Sequence, residues 1–189
     1  MTPTGWIILG IIIVALLAIV AILWSRRARS EHLRDRFGPE YDRAVEARGD
    51  RAKAEADLAA REKRVGKLDI RPLEPAERRE FTERWTDVQA RFVDDPARAV
   101  AFADALVGDV MKARGYPVSD FDQRAGDISV DHPVVVEHYH EAHDIALRHE
   151  RGDASTEDLR QAMVHYRALF DNLVGAAAPT AREPQSLDH

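Results

Sequence analysis

An unbroken apolar segment near the N-terminus limits the folds open to this chain more than any other sequence feature. No charged residue occurs in the 19 positions from Trp6 to Trp24, which are mostly isoleucine, leucine, valine and alanine. A helix of this length extends about 28 Å, close to the roughly 30 Å hydrocarbon core of a bilayer. A tryptophan stands at each end, where amphipathic rings favour the membrane–water interface. The segment therefore predicts a transmembrane helix.

A cleaved signal peptide is the main alternative for this segment. Signal peptides combine a positively charged leader, an apolar run of about 7–15 residues and a small-residue cleavage site. Here Met1–Gly5 carries no charged side chain, the apolar run is longer, and residues 24–27 contain no Ala-x-Ala pattern. We therefore predict that the segment is retained as a single-pass anchor.

Basic residues directly after the segment predict its orientation. Arg26, Arg27 and Arg29 follow it, and arginines close to a span stay on the cytoplasmic side. The N-terminus is then expected outside and the C-terminal domain in the cytoplasm. With Trp6 and Trp24, these arginines are the predicted membrane-anchoring residues, and the lipid bilayer is the first predicted partner.

Composition narrows the function classes open to the rest of the chain. Charged residues make up 32 % of the sequence, with only 10 glycines and 9 prolines, which favours helices over a turn-rich sheet protein. Cysteine is absent, so disulfides, thiolate catalysis and cysteine-ligated metals are excluded. Residues 69–189 carry a net charge of −10. Because phosphate neutralisation supplies most non-specific affinity for nucleic acid, we predict no nucleic-acid partner.

Helical patterns and breakers predict an all-α chain in four parts. Gly38-Pro39 should end the anchor helix, since proline disfavours helical geometry in the residue before it. Residues 40–68 are rich in helix formers but show only half of a heptad seam, which leaves weak homo-oligomer contacts through this stalk open. The predicted parts are a transmembrane anchor with a basic juxtamembrane segment (1–36), a charged helical stalk with a proline-containing linker (37–74), an acidic helical bundle (75–175) and a disordered tail (176–189).

Four amphipathic segments predict an antiparallel four-helix bundle in residues 75–175, with one extra short helix near 121–125. Asp95, Asp131 and Ser155 are predicted N-caps, because their side chains can accept first-turn amides. Each segment has a stripe of apolar residues along one helix face: Phe81, Trp85, Val88 and Phe92; Val100, Ala103, Val107 and Met111; Val135, Tyr139, Ala142 and Ala146; and Leu159, Met163, Tyr166, Phe170 and Leu173. Alternatively, the first of these stripes forms a groove for a partner helix.

Histidines of the third segment are the main metal-ligand candidates. The cluster consists of four histidines with interleaved carboxylates, and these groups suit transition metals. From it we single out His138, His140, His143 and Asp144; the other members are His149, Glu137 and Glu141. The spelling His140-Glu141-Ala142-His143 lacks the i, i+4 histidine pair of zincins, so packing at the edge of the apolar stripe is the alternative role. No P-loop or GxGxxG occurs, and we predict no catalytic residue, no cofactor and no enzyme activity.

Several short motifs together resemble an uncharacterised family of bacterial single-pass membrane proteins. The resemblance implies a bacterial inner-membrane setting but no activity, cofactor or site residue. It covers roughly residues 33–174 and is carried by Phe37-Gly38-Pro39-Glu40-Tyr41, Lys67-Leu68-Asp69-Ile70-Arg71-Pro72-Leu73, Arg91-Phe92-Val93-Asp94-Asp95-Pro96, Arg114-Gly115-Tyr116-Pro117, Ser129-Val130-Asp131-His132-Pro133 and Thr156-Glu157-Asp158-Leu159-Arg160.

The layout of anchor, stalk and bundle predicts a non-enzymatic, membrane-anchored helical interaction or scaffold module. Its protein partner is not identified by the sequence. A small metal- or ligand-binding protein that uses His138, His140 and His143 is the alternative function. With the reverse topology, the bundle would instead belong to an envelope-stress or assembly factor outside the membrane.

Overall fold

The computed structural model of the protein describes residues 3–117 and 119–176, with side chains from residue 12 onward. Eight α-helices and no strand make up the regular structure of these residues, which confirms the all-α prediction. The helices are α1 (Pro3–Phe37), α2 (Pro39–Arg48), α3 (Arg51–Val65), α4 (Pro75–Arg91), α5 (Pro96–Ala113), α6 (Phe121–Asp131), α7 (Val136–Glu150) and α8 (Thr156–Gly175).

The predicted transmembrane segment lies in α1. Among the described residues, no helix has an apolar stretch long enough to pass through a bilayer. The side chains of Trp6 and of the following positions up to Ile11, which belong to the predicted span, lie outside the described residues. From Ile12 to Trp24 the large apolar side chains are between 48 % and 79 % exposed. The membrane span stays a prediction.

The chain divides into two compact units, Met1–Ala59 and Ala60–His189. In the first unit α1 ends at Phe37, as predicted, because Gly38 adopts a left-handed φ of 49° and Pro39 begins α2. Gly49, with a φ of 62°, ends α2 before α3 begins. The predicted domain limits at residues 36, 74 and 175 stay predictions.

The segment predicted as a charged helical stalk contains two helices, α2 and α3. One face of each is covered, because apolar side chains recur there at helical spacing. The half heptad seam in the sequence corresponds to this face, since Phe37, Ala44 and Leu58 at its apolar position are buried. The buried apolar side chains of the first unit are Leu33, Phe37, Tyr41, Ala44, Ala54 and Leu58.

In the second unit, α8 packs against α5 and α7, α4 packs against α5, and α6 packs against α7. The predicted apolar stripes of α4, α5, α7 and α8 contribute to one core, with Phe92, Val135 and Ala146 partly buried at its edge. Trp85 stacks on Phe170 with a centroid distance of 4.7 Å. Because Phe81 and Trp85 are 7 % and 2 % exposed, this stripe is core and not an open groove.

Most predicted helix starts are confirmed, and one is wrong. The Asp95 carboxylate accepts from the Arg98 amide at 3.0 Å, and Ser155 caps α8. Asp131 is not an N-cap, because it is the last residue of α6. That helix is longer than the predicted 121–125, and its residues from Ala125 to Val130 are all buried. His132 then leaves the helix before Pro133, as expected of a residue preceding proline.

A partly buried polar network connects four helices of the second unit, α5, α6, α7 and α8. Asp104 on α5 accepts hydrogen bonds through Oδ1 from the hydroxyls of Tyr139 (3.2 Å) and Tyr166 (3.3 Å). Its other oxygen accepts from Arg124 at 3.1 Å. One carboxylate therefore satisfies two tyrosine hydroxyls inside the core, where an unpaired hydroxyl would cost about 1–3 kcal/mol.

Candidate metal centre

Two histidines and a glutamate lie close together where α7 packs against α8. His138 and Glu141 are three residues apart on α7, which places them on one face of that helix. His165 lies on α8. The side chains of His138, Glu141 and His165 are 41 %, 47 % and 22 % exposed, so the cluster is open to ions from solvent.

Three ligand atoms of this cluster form a small triangle. His138 Nδ1 is 3.0 Å from His165 Nδ1, and Glu141 Oε2 is 3.0 Å from His165 Nδ1. Glu141 Oε2 is also 3.6 Å from His138 Nδ1. The point equidistant from these atoms is about 1.9 Å from each, so an ion at the usual distance of about 2.1 Å would lie about 1 Å out of their plane. The three spacings therefore suit one shared transition-metal ion.

The chemistry of the three atoms also favours a cation. An imidazole nitrogen without a proton is an acceptor, and a carboxylate oxygen always accepts. Two imidazole nitrogens and one carboxylate oxygen thus approach one another across α7 and α8. A divalent ion would accept all three lone pairs at once.

The ligand chemistry indicates a class of metal. Two imidazoles and one carboxylate suit zinc and the neighbouring divalent first-row metals, and the chain offers no thiolate. Three protein ligands leave at least one coordination position for water or another ligand. Among the described residues, this is the one group of three or more histidine, aspartate or glutamate side chains whose ligand atoms lie within 4.8 Å of one another.

The structure brings together only part of the predicted ligand set. The ring of His143 stacks on Phe121 at a centroid distance of 3.6 Å, and His140 meets the same ring edge-on at 5.5 Å. Successive residues turn by about 100° around a helix, so His140 lies about 200° from His138 and faces α6 instead of α8. Asp144 is exposed and lies outside the cluster.

His165 is the residue that sequence reasoning missed. It lies far along the chain on another helix, and nothing near it resembles a metal motif. A usable signal nevertheless exists, because α7 and α8 are neighbours joined by a short loop around Asp153. In an antiparallel helix pair, residues equally far from the loop lie at the same height, and Glu141 and His165 are each 12 positions from Asp153.

Comparison with known proteins finds no relative of this chain. No protein-family model matches the chain, and no curated protein and no solved structure matches it. The resemblance to an uncharacterised family of bacterial single-pass membrane proteins stays a prediction. The assignment of His138, Glu141 and His165 rests on their distances and chemistry.

Proposed function

We propose that this chain is a membrane-tethered helical protein whose second unit binds a divalent transition-metal ion through His138, Glu141 and His165. The observation that carries the proposal is the approach of three ligand atoms to within 3.0–3.6 Å of one another across two helices. The ion would link α7 to α8. Because it would bind the folded form, it would add about 2.7 kcal/mol of stability at a free concentration of 100 times Kd.

We propose a binding role for this site, without catalysis. The ligands lie on the outer surface of two packed helices, and the site would present the metal to solvent or to a protein partner. The packing of α4, α5, α7 and α8 supports an antiparallel four-helix bundle as the scaffold, with α6 as an additional short helix. In this arrangement the bundle acts as an interaction module whose state depends on metal.

The tether is supported by the surface of α1. Apolar side chains from Ile12 to Trp24 are about half exposed or more, and exposed apolar surface of this extent is typical of a membrane-contacting segment. Arg26, Arg27 and Arg29 follow directly and favour a cytoplasmic location for the second unit. A tethered module searches for partners in two dimensions, which raises its effective concentration at the membrane.

Replacing His165 by alanine is expected to weaken zinc binding by about a hundredfold, because a ligand is lost from a three-ligand site. Untagged full-length protein would be titrated with zinc in competition with a chromophoric chelator. The matched control is the double variant His140→Ala, His143→Ala, which removes two histidines of α7 that lie away from the cluster. This control should keep its zinc affinity within about threefold, a small change beside the loss of a ligand.

Two results would contradict the metal site. One is a His165→Ala variant that binds zinc as tightly as the original chain. The other is loss of zinc only in the His140→Ala, His143→Ala control, which would place the ion on the face toward Phe121. Circular dichroism of each variant separates loss of a ligand from loss of the fold, since an unfolded variant loses its helical signal.

The full chain is expected to stay in the membrane fraction after alkaline extraction. Arginine at the centre of a span costs about 2.5–3.5 kcal/mol, so Leu16→Arg with Ile19→Arg should release it. Leu16→Val with Ile19→Val is the apolar control. A reporter fused after His189 should be active in the cytoplasm. Recovery of the unchanged chain in the soluble fraction would contradict the tether, and digestion of the second unit from outside spheroplasts would contradict the orientation.

A further inference from the structure

A basic pocket lies in the first unit, just beyond the predicted span. Its volume is about 470 Å³, and side chains of α1 and α3 form its walls. It begins two residues after Trp24, which marks the predicted membrane–water interface. The lining residues are Arg26, Arg27, Ser30, Glu31, Arg34, Arg51 and Glu55.

A hydrogen-bond network holds one wall of this pocket in place. Glu55 Oε1 accepts from the hydroxyls of Ser30 and Tyr41, each at 2.7 Å, and from Arg51 Nε at 2.9 Å. Arg51 also donates to the Ser30 hydroxyl. Ser30 and Tyr41 are buried, at 7 % and 1 % exposed. The wall is therefore built from α1, α2 and α3 together, and Arg51 is fixed beside α1.

The carboxylates of the pocket are already neutralised. Burial raises the pKa of Glu55, but hydrogen bonds from Tyr41, Ser30 and Arg51 outweigh it and hold that pKa below its usual value. Glu55 is thus an anion that pairs with Arg51. Glu31 pairs with Arg27 at 3.1 Å. Two carboxylates and two arginines therefore cancel in charge.

Two arginines remain to give the pocket its positive charge. Arg26 and Arg34 form no ion pair within the described part of the chain. Arg34 lies over the Tyr41 ring at 5.0 Å, an arrangement that leaves its guanidinium hydrogens available to an anion. The lining carries four arginines against two glutamates. A bound anion of one or two charges would complete the balance.

The positions of Arg26 and Arg34 along α1 indicate the source of that anion. Arg26 and Arg34 are eight residues apart, about 12 Å along a helix axis. Side chains of a helix tilt toward its N-terminus, which here is the direction of the predicted span. Long arginine side chains on this face thus reach back toward the headgroup layer, where lipid phosphates are concentrated. Basic pockets beside a span on the cytoplasmic side suit anionic headgroups.

We propose that this pocket binds the phosphate group of an anionic phospholipid. The proposal rests on the membrane tether proposed above, because the tether brings the pocket to the headgroup layer. Arg26 and Arg34 contact the phosphate, and Arg51 and Ser30 form the back wall. The bound headgroup fixes the first unit against the bilayer surface.

Binding of a short-chain phosphatidylglycerol to the full chain in a neutral detergent tests this site. The double variant Arg26→Gln, Arg34→Gln should weaken binding by about thirtyfold, the effect expected from the loss of two basic contacts. The matched control is Arg43→Gln, Lys53→Gln, which removes two exposed basic residues that neither line the pocket nor belong to the predicted membrane anchor. It should change the affinity by less than about threefold, as for general surface charge.

Two further ligands distinguish the sources of phosphate. Phosphatidylcholine of the same chain length and inorganic phosphate should each bind at least about tenfold more weakly than phosphatidylglycerol. Inorganic phosphate that binds as tightly as the lipid would overturn the lipid assignment. Equal losses in the pocket variant and in the control would overturn the pocket itself, since only overall charge would then matter.

Failure of this proposal is separable from failure of the proposed function. Membrane retention after alkaline extraction reports on the tether, and zinc titration reports on the metal site. Retention depends on the apolar segment from Trp6 to Trp24, and zinc binding depends on the metal site, so the Arg26→Gln, Arg34→Gln variant should keep both while it loses phosphatidylglycerol. If the chain is released from membranes, the tether fails. If it is retained and the pocket variant still binds the lipid normally, only the headgroup site fails.

Discussion

Replacing Phe170 by alanine is expected to lower the free energy of unfolding by about 4 kcal/mol. Phe170 on α8 is 2 % exposed and stacks on Trp85 of α4 at 4.7 Å between ring centroids. Large-to-small substitution of a buried aromatic residue costs about 3–5 kcal/mol, because it loses apolar burial and leaves a cavity. The free energy of unfolding of a folded protein is typically about 5–15 kcal/mol, so this loss is a large fraction of the total.

Urea unfolding of the full chain in detergent measures this effect, with tryptophan fluorescence as one probe and helical circular dichroism as the other. Val164→Ala is the matched control, because Val164 is on the same helix and 50 % exposed. It should change stability by less than about 0.5 kcal/mol. A Phe170→Ala effect as small as that of the control would mean that α8 does not pack on α4 through this ring.

Stability is expected to fall steeply above about pH 10, because three buried tyrosines resist ionisation. Burial is the main cause that raises the pKa of Tyr116, Tyr139 and Tyr166, and the Asp104 carboxylate adds to it for the last two. In the unfolded chain a tyrosine releases its proton near pH 10, whereas the folded chain keeps it. The unfolded state thus binds fewer protons above pH 10. Each tyrosine then removes about 1.4 kcal/mol per pH unit, or about 4 kcal/mol for three.

The slope of stability against pH is the decisive readout for these tyrosines. Tyr166→Phe lowers stability at neutral pH, because the hydrogen bond to Asp104 is lost. Above about pH 10 it should also make the fall in stability shallower by about 1.4 kcal/mol per pH unit, the contribution of one proton. Groups that do not contact Tyr166 or Asp104 titrate equally in both proteins, so the difference between the two slopes reports on this tyrosine pair. An unchanged slope would show that this hydroxyl ionises as easily in the folded protein as in the unfolded chain.

Local sequence patterns predicted the helices of the second unit well. The residues of the stripe from Leu159 to Leu173 are buried, and the predicted N-cap Ser155 forms a capping box with Asp158. These features depend on residues within one or two helical turns, where spacing alone decides which side chains share a face. The end of α1 at Phe37 was predictable for the same reason, because Gly38 and Pro39 act locally.

The prediction of a helix start at Asp131 failed, because the same local sequence pattern fits both the start and the end of a helix. Asp131 before His132-Pro133 has the pattern of an N-cap, yet α6 extends as far as Asp131, and Ile128 and Val130 are buried along it. Here burial outweighs the capping preference, since apolar area removed from water contributes more than a single cap. In residues 40–68 the charged composition does not show which face is covered, and the structure shows that Ala54 and Leu58 are buried.

The amino-acid sequence by itself determined the apolar segment, the absence of cysteine, the acidic charge of the second unit and the apolar faces of the helices. Tertiary structure alone decided which polar side chains meet. His165 reaches His138 and Glu141 only because α8 packs against α7, and Arg51 reaches Ser30 only because the chain reverses after α1. Helix periodicity acts over a few residues, whereas a ligand set across two helices depends on how those helices pack.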